Sequence, residues 1–139
     1  GLEIVKKLAP VKRVCSQMRY ANIEVSLFID PNIQQVDAAA RTGAQFIELH
    51  TGSFAHHYSN ARTRKRELNR LTAAATHANS LGLRVNAGHG LNYENLKSLH
   101  EVPYLEELNI GHSIISRSME TGLTRAVKEM LRLMKGYRL

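Results

Sequence analysis

Apolar residues recur at helical spacing over residues 3–20, where Ile4, Val5, Leu8, Val11 and Val14 predict an opening helix despite Pro10. The apolar, partly β-branched run Val25-Ser26-Leu27-Phe28-Ile29 then predicts a strand. Asp30-Pro31-Asn32 ends it and starts a helix over Ile33 to Arg41, which Gly43 stops. Phe46 to His50 reads as the second strand, followed by a polar loop through His56 and His57. A long helix from Arg62 to Ser80 comes next, with Leu68, Leu71, Ala75 and Ala78 on its apolar face and Gly82 as its stop. Leu83 to Ala87 predicts the third strand, Tyr93 to Leu99 a short helix, and Glu107 to Ile110 the fourth strand. Two helical pieces follow, the last over Leu123 to Gly136.

Strands separated by helices pair in parallel, because each crossover returns the chain to the same edge of the sheet. That leaves an open doubly wound sheet or part of a (β/α)8 barrel. A complete barrel needs eight strands and usually about 250 residues, so a chain of 139 residues corresponds to about half of one. The alternation within strands favours the barrel. Ile47 and Leu49 oppose Phe46, Glu48 and His50; Val85 opposes Arg84 and Asn86; Leu108 and Ile110 oppose Glu107 and Asn109. Strands covered by helices on both faces read as nearly continuous apolar runs, whereas a polar second face suits a barrel lumen. The expectation is the C-terminal half of a (β/α)8 TIM barrel: four parallel strands with flanking helices, one unit over residues 1–139, without a linker.

Composition narrows the function classes. With 43% apolar and 22% charged residues the chain is globular rather than disordered. Its net charge of +7 is dispersed over helical stretches at 6–19, 62–70 and 125–138 without interleaved aromatics. That argues against nucleic acid, and for a solvated surface or an attraction to anionic substrates. The single Cys15 excludes an internal disulfide, reads as a buried structural thiol, and fits a reducing, cytoplasmic compartment. No apolar run approaches the roughly 18 residues that span a bilayer, so membrane insertion is not expected. The chain opens at Gly1 rather than Met, directly before a helical pattern, so an upstream portion is expected to have been removed.

The chemistry gathers at strand ends. In Asn86-Ala87-Gly88-His89-Gly90 an imidazole lies between glycines directly after a strand, placed for proton transfer near neutral pH; the plain alternative is a turn His bonded to backbone. Asn109-Ile110-Gly111-His112-Ser113 repeats the arrangement after the last strand, where a following helix can turn its amides to a phosphate; here the alternative is a helix capped by Ser113. Glu48 and His50 share the lumen face, where a carboxylate needs a partner or a function, and Arg84 is a candidate partner. Thr51-Gly52 continues into a substrate-facing loop. Glu48, His50 and His89 could imitate a two-His, one-carboxylate metal set, but no tight spacing supports it, and neither metal nor cofactor is expected.

Four runs in order, Val25 to Asp30, Phe46 to Gly52, Val85 to Leu91 and Glu107 to His112, closely resemble the pyridoxine 5'-phosphate synthase family. The resemblance implies a barrel enzyme of vitamin B6 biosynthesis. Such enzymes condense 1-deoxy-D-xylulose 5-phosphate with 3-amino-2-oxopropyl phosphate to pyridoxine 5'-phosphate, phosphate and water. By resemblance His89 is the proton donor, Glu48 the carboxylate that stabilises developing charge, and Gly90, Gly111 and His112 hold the amino-ketone phosphate. A further His and Glu, with Arg residues for the sugar phosphate, come from barrel strands that have no counterpart here, so this segment alone is expected to be inactive. Smaller departures are Phe54, where an aromatic hydroxyl is common, and Ser116, where Gly is common. Open sheet edges lead to an expectation of homo-oligomers. Two other readings stand beside this one: a metal-dependent aldolase or epimerase barrel, and a non-catalytic half-barrel assembly module.

Overall fold

The structure, a computed structural model, describes residues 1–135 and Tyr137. Four strands, β1 (Ser26–Ile29), β2 (Phe46–His50), β3 (Arg84–Gly88) and β4 (Leu105–Asn109), form one sheet in the order β1-β2-β3-β4. Every neighbouring pair is parallel. A doubly wound sheet reverses strand order at a switch point. This one does not, and its progression is that of a partial (β/α)8 barrel.

The helices are α1 (Leu8–Tyr20), entered through a 3-10 turn at Val5–Lys7, then α2 (Ile33–Ala40), α3 (Gly52–His56), α4 (Ala61–Ser80), α5 (Leu96–Leu99), α6 (His112–Thr121) and α7 (Leu123–Met134). The end predicted for the last helix, Gly136, lies outside the described residues. Local chemistry sets the boundaries. The Asn32 side chain accepts the backbone N–H of Gln34 and Gln35 at the start of α2, and Asn60 accepts that of Thr63 at the start of α4. Gly82, at φ +78, lets the chain leave α4 in a left-handed turn.

One sheet face is dry. Leu27, Ile29, Ile47, Leu49, Val85 and Ala87 meet Val36 and Ala39 of α2 and Leu68, Leu71, Ala75 and Ala78 of α4 in one buried cluster, which also takes in Cys15. The opposite face carries Phe28, Glu48, His50, Arg84, Glu107 and Asn109 and remains largely open. Thus the period-2 pattern of the strands assigns the two faces, as a half-buried sheet requires.

Two expectations need correction. The polar loop predicted after β2 begins with a short helix, α3, because Phe54 turns inward to 1% exposure and packs edge-on against Tyr58, with ring centroids 5.6 Å apart. Its five residues are too few for a periodic pattern to register. The start of β4 also lies earlier than predicted. Val85 pairs with Leu105 and Asn86 with Glu107, so Glu106 is an extra residue at a bulge that breaks the alternation.

That bulge decides an ion pair. Arg84 sits in register with Phe46, two residues below Glu48, and its guanidinium lies 4.2 Å from the Phe46 ring centroid while its Nε donates to Glu106 at 2.7 Å. The pairing expected between Arg84 and Glu48 is therefore absent. Glu48 instead accepts a 2.7 Å hydrogen bond from Asn109.

The most buried charge of the described residues is Glu67 on α4, 2% exposed and bonded to Arg66 and Arg70 at 3.1 and 2.6 Å. Burial pushes its carboxyl up, but the Arg70 charge and hydrogen bonds from Arg66, Arg70 and Ser53 outweigh this and hold it below its ordinary value. A depressed carboxylate stabilises the fold above its unfolded value, and that contribution is lost as pH falls through the folded one. The melting temperature should therefore fall more steeply between about pH 5 and 3 in the unaltered chain than in Glu67→Gln. Parallel acid limbs in calorimetry would refute this.

Candidate active site

The C-terminal ends of parallel strands are where a barrel presents its chemistry. Here those ends bring Asp30, His50, His89 and the Gly111-His112 pair to one side of the sheet. Glu48, His89, Gly90, Gly111 and His112, the five residues singled out from the sequence, all line one open cleft, which Arg117 on α6 also lines.

His89 occupies a costly position. Its φ of +81 is in the left-handed region, which costs a non-glycine residue about 1–2 kcal/mol. The following Gly90, at φ +79, continues the turn without that penalty. Thr51 holds the strained segment. Its N–H donates to Gly88 O at 2.9 Å, and its hydroxyl lies 2.7 Å from Gly88 O and 2.6 Å from His89 O, with one proton to share between them. Each such bond contributes about 1 kcal/mol net, enough to offset the strain. Thr51 is fully buried, so it is a clamp on the His89 turn rather than part of a substrate-facing loop.

The imidazole of His89 packs against that of His50, ring centroids 4.8 Å apart at 61°, and Phe28 closes the group 5.0 Å from His50. Gly52 makes this meeting possible, since a Cβ there would lie 2.6 Å from His50 Nε2 and 3.1 Å from His89 Cδ2. Asp30 fixes the His50 ring through Nδ1 at 3.1 Å.

Glu48 sits on the lumen face below these rings, its carboxylate held by Asn109 from β4. Gly88 leaves it room, because a Cβ at that position would collide with Glu48 Oε1. Asn86, 5% exposed, lies beside Glu48 in register, and its Oδ1 has no hydrogen-bond partner among the described residues.

Across the cleft, α6 begins at His112 with Gly111 before it. The alternative reading of Ser113 as the cap of α6 is not what the side chain does; its hydroxyl donates to Leu91 O at 2.8 Å, tying α6 to the His89 turn. A Cβ on Gly111 would meet nothing within 4 Å, so neither packing nor a positive φ demands glycine there. Ser116 also lines the cleft. Among the described residues no group of three or more His, Cys, Asp or Glu side chains gathers with metal-binding geometry. No helix is long and apolar enough to cross a membrane.

Strand-end reasoning overlooked Asp30 and Asn95 and assigned Thr51 to a substrate-facing loop. Asp30 was legible, since it follows β1 as His89 follows β3, yet Asp30-Pro31 reads first as a strand stop. Asn95 reads locally as a turn partner of Asn92, which gives no sign of its bond to Gly90 five residues earlier.

A family model described as "Pyridoxal phosphate biosynthesis protein PdxJ" matches residues 1–136. Pyridoxine 5'-phosphate synthase of Coxiella burnetii (strain RSA 493 / Nine Mile phase I) is 50% identical over 139 aligned residues, 98% of this chain and 56% of that protein. The enzyme of the same name from Akkermansia muciniphila is 55% identical over 134 residues, 94% of this chain and 52% of that protein. The chain thus spans about half the length of the curated relatives it matches.

Proposed function

The chain belongs to the pyridoxal phosphate biosynthesis protein PdxJ family, and from that premise we propose that it forms the C-terminal half of a pyridoxine 5'-phosphate synthase barrel. The complete barrel condenses 1-deoxy-D-xylulose 5-phosphate with 3-amino-2-oxopropyl phosphate. The observation that carries this reading is the meeting of Glu48, the His89-Gly90 turn and the Gly111-His112 pair in one cleft at the strand ends.

Each residue then has work suited to its place. His89, exposed on a fixed turn, delivers a proton to a leaving oxygen. The Glu48 carboxylate, anchored by Asn109 and set back from the mouth, faces positive charge that develops as the amine adds to a carbonyl. Gly90, Gly111 and His112 take the phosphate of the amino ketone, with backbone N–H groups supplying directional donors and His112 a side chain at the mouth. The reaction needs further acid and base groups and cations for the second phosphate, and these come from the four strands that complete the barrel. This segment alone is inactive on that reading.

The open edges at β1 and β4 favour pairing with those strands, which closes them, and the working enzyme is read as a homo-oligomer that associates through other surfaces. A cytoplasmic location fits the single buried thiol, and neither nucleic acid nor membrane is a partner.

The test is a complete barrel carrying this chain as its second half, for instance fused to the first half of the Coxiella burnetii relative. With both substrates it should yield pyridoxine 5'-phosphate and one equivalent of inorganic phosphate. A folded barrel that makes no product overturns the proposal.

A further inference from the structure

Four consecutive carbonyl oxygens, from Gly88 to Leu91, are each engaged by a side chain: from the loop after β2, from Asn95 at the end of the same connection, or from α6. Thr51 reaches those of Gly88 and His89 at 2.7 and 2.6 Å, Asn95 Nδ2 donates to Gly90 O at 3.0 Å, and Ser113 Oγ donates to Leu91 O at 2.8 Å. A surface turn has no need of this, because water satisfies exposed carbonyls. Thr51 and Asn95 are 0% and 1% exposed, and neither lines the cleft.

The orientation of the Asn95 amide is fixed from both ends. Its Oδ1 accepts the N–H of Asn92 at 2.9 Å, which leaves only the NH2 end for Gly90, and its own N–H returns to Asn92 Oδ1 at 3.0 Å. Holding a peptide's carbonyl into the protein body turns the N–H of the same peptide the other way. The peptides that follow Gly88, His89 and Gly90 are thereby polarised, with acceptors inward and donors toward the opposite, cleft side, whereas the N–H that follows Leu91, on Asn92, is taken by Asn95 Oδ1.

We infer that Thr51 and Asn95 are positioning residues that set this polarity, Thr51 for the His89 ring and Asn95 for the anion-facing amides around Gly90. The inference rests on the proposed use of the cleft for a phosphorylated substrate. It divides the labour: Thr51 acts on the chemical step and Asn95 on phosphate affinity.

The test uses three variants of the complete barrel. Thr51→Val removes the hydroxyl at nearly constant shape, Thr51→Ser restores it, and Asn95→Asp sets a carboxylate oxygen against Gly90 O. Thr51→Val should lower kcat about ten- to a hundredfold, with KM for the amino-ketone phosphate within about twofold, and Thr51→Ser should recover most of the loss. Asn95→Asp should weaken inorganic phosphate, titrated by calorimetry, about tenfold or more. The NMR shifts of the His89 ring and Cα should move in Thr51→Val and return in Thr51→Ser, a readout independent of turnover. Should Thr51→Val fail to fold, Thr51→Ser and Asn95→Asp still decide the matter.

Equal losses of kcat and phosphate affinity in both positions would overturn the division. So would unchanged phosphate binding in Asn95→Asp, or a Thr51→Ser variant as impaired as Thr51→Val. A barrel that binds phosphate in the cleft but forms no pyridoxine 5'-phosphate would sink the functional reading alone, and the Asn95 result would still be read from the phosphate titration.

Discussion

Replacing His89 by Ala in the complete barrel is expected to lower kcat for pyridoxine 5'-phosphate by about 10²- to 10⁴-fold, the range for loss of a general acid. The fold should be indifferent. The His89 side chain is exposed at the cleft and takes no part in the apolar core, and what the position contributes to stability is a strained backbone. His89→Gly makes the distinction sharper, because glycine adopts a φ of +81 freely and so removes about 1 kcal/mol of strain. Both variants should be equally inactive, while the melting temperature of His89→Gly equals or exceeds that of the parent. Steady-state kinetics and calorimetry on the pair check this. A His89→Ala variant that keeps more than about a tenth of kcat would remove His89 from proton transfer.

Gly90→Ala should have the largest effect on stability, a loss of about 2–5 kcal/mol from a left-handed backbone combined with overpacking. The added Cβ would lie 2.7 Å from the Cβ of Ala55. Ala55 belongs to α3, and a Cβ moves only with its backbone, so the contact cannot be relieved by a change of rotamer. Ala55→Gly in the same chain should recover the overpacking part and leave the backbone part. Gly111→Ala is the instructive contrast. Its φ of −118 suits any residue and its Cβ meets nothing within 4 Å, so stability should not change. Loss of phosphate affinity in Gly111→Ala would then report a collision with the ligand itself. Chemical denaturation of the three variants separates these cases; a Gly90→Ala chain as stable as its parent would contradict the close packing of α3 on the turn.

The sequence patterns that foretold the architecture are short-range ones. Strand β2 was readable to the residue, Phe46 to His50, because a short apolar run alternates with polar residues from Ile47 to His50 and is bounded by Gly43 and Gly52. The same alternation identified the wet face that carries Glu48 and His50. Reading failed where geometry departs from a simple period. The bulge at Glu106 put two glutamates in succession and hid the start of β4. The five-residue α3 has no room for a helical repeat.

The candidate site was legible in the residues proposed to react and opaque in their supports. His89, Gly90, Gly111 and His112 announce themselves because they repeat one motif, glycine beside histidine after a strand. Their supports are long-range pairings: Thr51 with His89, Ser113 with Leu91 and Asn109 with Glu48, separated by 38, 22 and 61 residues. No local spacing encodes such pairs. Choosing Arg84 as the partner of Glu48 from charge alone missed that it lies two residues lower on the sheet, within reach of Glu106 instead.

The most direct test of the account is a crystal structure of the complete barrel soaked in inorganic phosphate. The account predicts phosphate between the Gly90 turn and the Gly111-His112 start of α6, bonded to backbone N–H groups on both sides, with the His89 ring facing the space beside it. Phosphate bound elsewhere on the barrel, with this cleft vacant at saturating concentration, would contradict it.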